Sequence, residues 1–280
     1  MGFAMTITAR YDRHARAYET HWAPVLAPTA LAMLDALDLE LGGHMPRRVL
    51  DVGVGTGTLT RSAVTRWPTA RVVAVDGSAG MLAEARGTAA RALSPAGLRR
   101  IEWCAALAER LPYPDGSFDL AVSSFVYQLV PDRPAALREA HRVLEPGGTL
   151  GLVTWLADDT PFEPEMAFEA ALDALELDEE DVAEDARSGD PPSAAALAAQ
   201  LRRCGFDRVR TRTGTLVHRW SPESYLRFLV AYDAHDVFRS LGRLDRRRLE
   251  AEVRRRLVDL PADAFEWRAP VVRAVARRPG

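Results

Sequence analysis

Apolar residues come in short runs through the first half of the chain, and the runs alternate with stretches of helical spacing. Arg48 to Val52 (RVLDV) is brief, apolar and followed by a glycine. From Gly57 to Trp67, the residues Leu59, Ala63, Val64 and Trp67 fall on one side of a helix. Ala70 to Asp76 (ARVVAVD) reads as a second buried strand. Ser78 suits the cap of a helix over Ala79 to Leu93, whose first turn points Met81 and Leu82 inward. Arg100 to Ala106 and Phe118 to Ser124 (FDLAVSS) give a third and a fourth strand. Pro131 to Leu144 is amphipathic and is stopped by Pro146-Gly147-Gly148, after which Thr149 to Trp155 forms a fifth strand. Strands that alternate with helices pair in parallel through right-handed crossovers.

The second half is less regular. Pro161 to Ala186 reads as helix and contains an acidic run over Leu177 to Asp185, a solvated face. The segment from Asp190 to Ser193 (DPPS) is a break, Ser193 caps a helix to Arg203, and Gly205 stops it. Phe206 to Trp220 alternates as a strand does, with Arg210 and Arg212 on its solvent side. Ser221-Pro222-Glu223 starts a helix running toward Val237. Leu244 to Leu257 is helical with an Arg-rich outer face, and Phe265 to Arg277 is a last strand.

Composition narrows the chemistry. The 280 residues suit one large domain or two small ones, and 48% hydrophobic with 27% charged residues is ordinary for a globular chain, which excludes disorder and fibrous folds. All 36 basic residues are Arg, so Schiff-base, pyridoxal-phosphate and P-loop lysine chemistry is excluded. A net charge of -3 argues against nucleic-acid binding. Cys104 and Cys204 form no zinc or disulfide pattern and read as small buried residues, and the six histidines show no HExxH spacing, so no metal is expected. Asp12 and Glu19 interrupt the N-terminal region, and Thr149 to Ala157 is far shorter than the ~20 residues a membrane span needs. A soluble cytoplasmic protein without a membrane partner is expected, as a monomer or a homodimer.

The most informative stretch is Val49-Leu-Asp51-Val-Gly53-Val-Gly55-Thr-Gly57, between a strand and a helix. Its glycines permit a tight turn and close approach of a ligand, and the helix start offers free N–H groups. The spacing is G-x-G-x-G, not the G-x-G-x-x-G of dinucleotide binders, and Asp51 would repel a pyrophosphate. An acid there suits a cationic or amino group. Asp76 ends the next strand, where a carboxylate accepts from ribose hydroxyls. Together these features describe a site for S-adenosyl-L-methionine better than one for NAD.

On these residues the chain resembles a class I S-adenosylmethionine-dependent methyltransferase, of the type found in ubiquinone and menaquinone biosynthesis. The family's further motifs follow in order. They are Tyr11 to Tyr18 (YDRHARAY), the segment from Asp76 through Met81, Leu111 to Asp119 (LPYPDGSFD), and Arg142 to Gly148 (RVLEPGG). The likeness is strong over residues 8–155 and general beyond. It implies a doubly wound α/β Rossmann-like sheet of about seven strands in the order 3-2-1-4-5-7-6, the last antiparallel, with helical lid insertions. It further implies a single domain over 1–280. Residues 1–45 would be a helical cover, 46–155 the cofactor-binding core, 156–205 and 221–263 the helical cap, and 206–220 and 264–277 the closing strands.

By the same resemblance Gly53, Gly55 and Gly57 lie along the methionine part of the cofactor, Asp51 near its amino group, Asp76 on the ribose and Met81 on the adenine. Tyr11 or Tyr18 closes over the carboxylate, and Ser123 belongs to the same site. One position departs. Where the family usually has an Asp for the adenine amino group, this chain has Leu107, which leaves the adenine to the backbone at Ala108 or to Glu109.

Methyl transfer from a sulfonium needs alignment and exclusion of water more than a fixed catalytic signature. Candidates for base or orientation are His21 and Tyr127. Candidates for the acceptor pocket are His14, Trp22, Gln128, Trp155, His218 and Tyr225, with Tyr232 and His235 in the same roofing region. A small-molecule acceptor of specialised metabolism is expected. Two rival readings are a protein that binds the cofactor without methyl transfer and an NAD-dependent oxidoreductase.

Overall fold

The computed structural model describes residues 7–177 and 187–280. Two helices, α1 (Ile7–His21) and α2 (Ala23–Leu41), precede β1 (Arg48–Val52). There follow α3 (Thr58–Arg66), β2 (Arg71–Asp76), α4 (Ala79–Ala92), the short turn α5 (Pro95–Leu98), β3 (Ile101–Ala105), β4 (Phe118–Ser124), α6 (Arg133–Val143) and β5 (Leu144–Trp155). The second half contributes α7 (Glu163–Ala174), α8 (Ala194–Arg203), β6 (Asp207–Arg219), α9 (Pro222–Phe228), a π-helical turn (Leu229–Asp233), α10 (His235–Ser240), α11 (Arg243–Asp259) and β7 (Glu266–Arg277).

The seven strands lie in the order β3-β2-β1-β4-β5-β7-β6. The first five run parallel, while β7 pairs antiparallel with both β5 and β6, as the family resemblance implies. Alternation along the strands builds two cores. Leu50, Ala121 and Val272 point to one face, against Leu137 of α6 and Leu197 and Leu201 of α8. Val49, Leu120 and Val271 point to the other, against Leu34 and Leu37 of α2 and Leu59 and Val64 of α3. Local signals set the helix starts. Ser78, Ser193 and Ser221 each accept a backbone N–H from the first turn they cap. β5 starts earlier than expected, because Leu144 already pairs with Phe118 before the register shifts across Pro146-Gly147-Gly148.

Two helices that fall within the expected cover and cap pack in the layers of the sheet. Helix α2 packs in the sheet's layer, with Leu37 fully buried, and α1 lies over the carboxyl ends of the strands. Helix α8 is likewise a layer helix, since Leu197 and Leu201 belong to the sheet's core. The cap proper is α7 with α9 to α11. It has its own core of Phe168, Leu172, Phe228, Phe238, Leu249 and Val253. On α11, Leu249, Val253 and Leu257 turn inward at a spacing of one helical turn, which leaves its arginines outside. The helix expected over Pro161 to Ala186 ends at Ala174 within the described segment, and all but Leu177 of its acidic run lies outside the described residues. Among the described residues no single helix is long and apolar enough to cross a membrane.

Gly151 shows how closely α2 sits on β5, because a Cβ there would fall 2.5 Å from Leu37 Cδ1. Gly151→Ala is expected to cost about 1–3 kcal/mol of stability by overpacking. In a Leu37→Ala background the added methyl fills part of the void, so the same substitution should cost less or stabilise. Urea unfolding of the two single variants and the double variant measures the coupling.

Candidate active site

The carboxyl ends of β1, β2 and β4 open onto a cavity of ≈ 410 Å³. Its floor is Gly53, Gly55 and Asp76; α1 roofs it with Ile7, Thr8, Tyr11 and Tyr18. One flank is Leu107, Ala108 and Glu109, and the other is Ser124 through Val126 with Leu129 to Pro131.

Asp76 is fixed by the backbone on both oxygens. Gly55 N donates to Oδ2 at 2.8 Å and Ser78 N to Oδ1 at 2.9 Å. Each oxygen keeps a lone pair for a ligand. Burial raises the Asp76 pKa to about 6, against the opposing effect of the two N–H groups. Asp51 is 1% exposed and accepts from Thr60 Oγ1 at 2.6 Å. Burial carries its pKa further, to about 7. It does not line the large cavity. It faces a void of ≈ 30 Å³ behind the glycine loop, whose walls Tyr18, Gly53, Gly55 and Ser124 also belong to the large cavity. That void has room for a bridging water.

Two backbone features shape the floor. Gly53 has φ +70°, and a Cβ there would lie 2.2 Å from Val126 Cγ2, so only glycine lets the loop pass under the segment after β4. Phe125 has φ 56°, a left-handed conformation rare for a bulky residue. It is held by its N–H to Val153 O at 2.8 Å and by Trp155, 4.3 Å away between ring centroids.

The cover is tied down by Asp12. Its carboxylate accepts from Ser78 Oγ at 2.6 Å and Gly80 N at 2.8 Å, capping α4, and the Ser78 bond holds its pKa below the ordinary value. Gly80 permits this approach, as a Cβ there would lie 2.5 Å from Asp12 O. Tyr18 packs edge-on against Tyr11 at 6.0 Å and Tyr232 at 5.8 Å. Burial pushes the pKa values of Tyr11 and Tyr18 up, so both hydroxyls are neutral donors at physiological pH.

Of the residues singled out from the sequence, the structure brings Tyr11, Tyr18, Gly53, Gly55, Asp76, Met81, Ala108 and Glu109 to the cavity wall. Gly57 instead caps α3, outside the wall. Ser123 is turned away, donating to Val52 O at 2.8 Å, and its neighbour Ser124 lines the cavity. Leu107 lies over Gly77 at the mouth and is 57% exposed.

None of the side chains chosen for catalysis or acceptor binding lines the cavity. Tyr127 is buried in the sheet's core, its hydroxyl without a hydrogen-bond partner. His21 ends α1, where burial and Arg227 lower its pKa. His14 faces Asp236 of α10 at 3.4 Å. Gln128 accepts from Thr154 Oγ1 at 2.7 Å. Trp22 and Trp155 join Trp267 behind Phe125, His218 packs on Trp220, and Tyr225 lies in the cap's core. Sequence reasoning passed over Asp12, Ser124, Phe125 and the Leu129-Val130-Pro131 turn. Only the position of Asp12 inside the YDRHARAY segment offered a signal.

A methyltransferase domain model matches residues 49–148, the stretch that carries the glycine loop, Asp76 and β4. The demethylmenaquinone methyltransferase of Deinococcus radiodurans is 31% identical over 248 residues, covering 85% of this chain and 81% of that protein. The chain belongs to the class I S-adenosylmethionine-dependent methyltransferases, whose cofactor is S-adenosylmethionine. Within that class it is also similar to the malonyl-[acyl-carrier protein] O-methyltransferase of Xylella fastidiosa, 34% identical over 175 residues. There it covers 60% of this chain and 54% of that protein, so the chain spans about half the length of such curated relatives. Among solved structures, the YcgJ protein of Bacillus subtilis superposes with a TM-score of 0.58 at 19% identity, covering 89% of this chain and 99% of that one.

The residues present fit the cofactor. The two braced oxygens of Asp76 suit a diol, and Gly53 and Gly55, both at positive φ, leave that part of the floor without side chains. Because a sulfonium or ammonium group favours ionised carboxylates, affinity for S-adenosylmethionine should fall as pH drops from 8 through about 7 and 6, the values for Asp51 and Asp76. The loss between pH 8 and pH 5 should be tenfold or more, since each unit below a governing pKa costs roughly tenfold. In Asp51→Asn the upper step should disappear. Isothermal titration across this range checks both.

Proposed function

We propose that the chain transfers the methyl group of S-adenosylmethionine to a small, largely apolar acceptor, and the observation that carries this is the composition of the cavity wall. Asp76 and the glycine loop supply the polar end. Beside Thr8, Ser78, Glu109 and Ser124, the rest of the wall is largely apolar, with Phe125, Val126, Leu129, Val130 and Pro131 and the rings of Tyr11 and Tyr18, a surface that favours an apolar or aromatic partner. The bound cofactor supplies a methyl group already activated by its positive sulfur.

The chain's own residues then align and shield. Asp76 holds the ribose, and Gly53 and Gly55 let the backbone run beside the amino-acid portion. Leu107, Ala108 and Glu109 meet the adenine, with an apolar contact from Leu107 where an acid is customary. Asp51 faces the amino group through the small void. Tyr11 and Tyr18 close the roof and exclude water, which preserves the reactive carbon for the acceptor. No histidine lines the cavity among the described residues, and besides Asp76 its one carboxylate is Glu109. An acceptor that is nucleophilic without a strong base is therefore favoured, such as an enol, a phenolate or an amine. A place in specialised metabolism and a cytoplasmic setting are part of the same reading.

Asp76→Ala removes two charge-assisted hydrogen bonds, each worth roughly 1.5–3 kcal/mol. It should weaken S-adenosylmethionine and S-adenosylhomocysteine by about 100-fold or more, measured by isothermal titration, while NAD shows no binding to the unaltered chain. A screen of quinol, phenolic and acyl acceptors with label in the methyl group should show transfer to at least one apolar class. Tight NAD binding, or transfer restricted to highly charged acceptors, would refute the proposal.

A further inference from the structure

Outside the cavity, the cover and the cap meet at three side chains that the fold gathers from distant parts of the sequence. His14 comes from the middle of α1, and His235 and Asp236 open α10. One ligand atom from each lies within 4.8 Å of the others. His14 Nε2 is 3.4 Å from Asp236 Oδ2, and His235 Nδ1 is 3.6 Å from Asp236 Oδ1. The two imidazole rings stand edge to face, 4.9 Å apart.

We propose that His14, His235 and Asp236 form a binding site for a divalent transition-metal ion that joins the cover helix to the cap. The spacing supports this. A tetrahedral ion with bonds of about 2.0–2.1 Å sets its ligands roughly 3.3–3.4 Å apart; each imidazole lies 3.4–3.6 Å from an Asp236 oxygen, and small side-chain rotations bring the three atoms, already within 4.8 Å, around one centre. The His235 separation is longer than a good hydrogen bond, and His235 Nδ1 is buried with no hydrogen-bond partner. A buried ring nitrogen left so is costly unless something else takes its lone pair. The burial is graded as a metal site requires. His14 is 7% exposed, His235 34% and Asp236 40%, so one side stays open for water to complete the coordination. Two imidazoles and one carboxylate suit zinc and its neighbours, not magnesium or calcium. None of the three residues lines the cofactor cavity, but Tyr11 and Tyr18 lie one turn to either side of His14 on the same helix.

The test uses the full chain, freed of metal by chelation, titrated with zinc chloride and in parallel with magnesium chloride. One zinc per chain, no magnesium binding at the same concentrations, and a zinc-dependent rise in melting temperature are expected. Asp236→Asn and His235→Gln, both at partly exposed positions, should weaken zinc by more than the roughly 10–100-fold that loss of an outer-shell partner costs, and should remove the melting shift. Their metal-free circular dichroism should match the parent chain. Cobalt(II) in the unaltered chain gives a readout that needs no variant, since strong visible bands of low-coordinate cobalt support the site. Zinc binding that persists unchanged in both variants, the pale spectrum of octahedral cobalt, or no zinc uptake at millimolar concentration would each overturn it.

Discussion

Burying a carboxylate costs several kcal/mol unless its oxygens are met by donors, and this fold places Asp51 fully and Asp76 partly out of water near the carboxyl ends of adjacent strands. Asp51 is met by Thr60 from α3, and Asp76 by the N–H groups of Gly55 and Ser78. These bonds position more than the acids. The Gly55 bond sets the glycine loop over β2, and the Ser78 bond sets the start of α4. Both pKa values stay elevated, so the donors offset the desolvation only in part, and on the proposed reading the cationic cofactor would supply the remainder. The polar floor is in this sense completed by what it binds.

The roof depends on a third carboxylate, placed where a helix wants one. Asp12 caps α4 from outside and fastens α1 across Gly80, which in turn fixes Tyr11 and Tyr18 over the floor. Behind them the aromatic side chains of Trp22, Phe228 and Tyr232 connect the roof to the cap. The left-handed backbone at Phe125 belongs to the same economy of position. It turns the chain after β4 so that Val126 and the following apolar turn face the cavity, while Trp155 and the β5 carbonyl hold the strained residue in place.

Much of this was legible in the sequence because it is governed locally. The glycine loop, the two acids after strands, and the serine caps at 78, 193 and 221 each state a backbone requirement within a few residues. The alternation of elements gave parallel pairing, while the strand order itself was implied by the family likeness. What was not legible is tertiary. Which layer α2 and α8 join depends on partners such as Gly151 that no short window reveals. Ser123 and Ser124 differ by one step of strand phase at a strand's end, where the pleat stops deciding direction. Tyr127, His21, His218 and Tyr225 attracted attention by residue type, yet packing claimed them. The walls that face the cavity include Leu129, Val130 and Pro131, which carry no chemical signature at all.

The cap's separate hydrophobic core has an evolutionary consequence. Phe168, Phe238, Leu249 and Val253 pack on one another, not on the sheet, and half-buried Trp22 touches both bodies. Substitutions within the cap's core, away from the aromatic side chains that join it to the roof, therefore do not touch the packing behind the glycine loop. A lineage carrying this layout can vary the cap's core and the sheet's core as separate packing problems, joined only where aromatic side chains such as Trp22 and Trp220 belong to both.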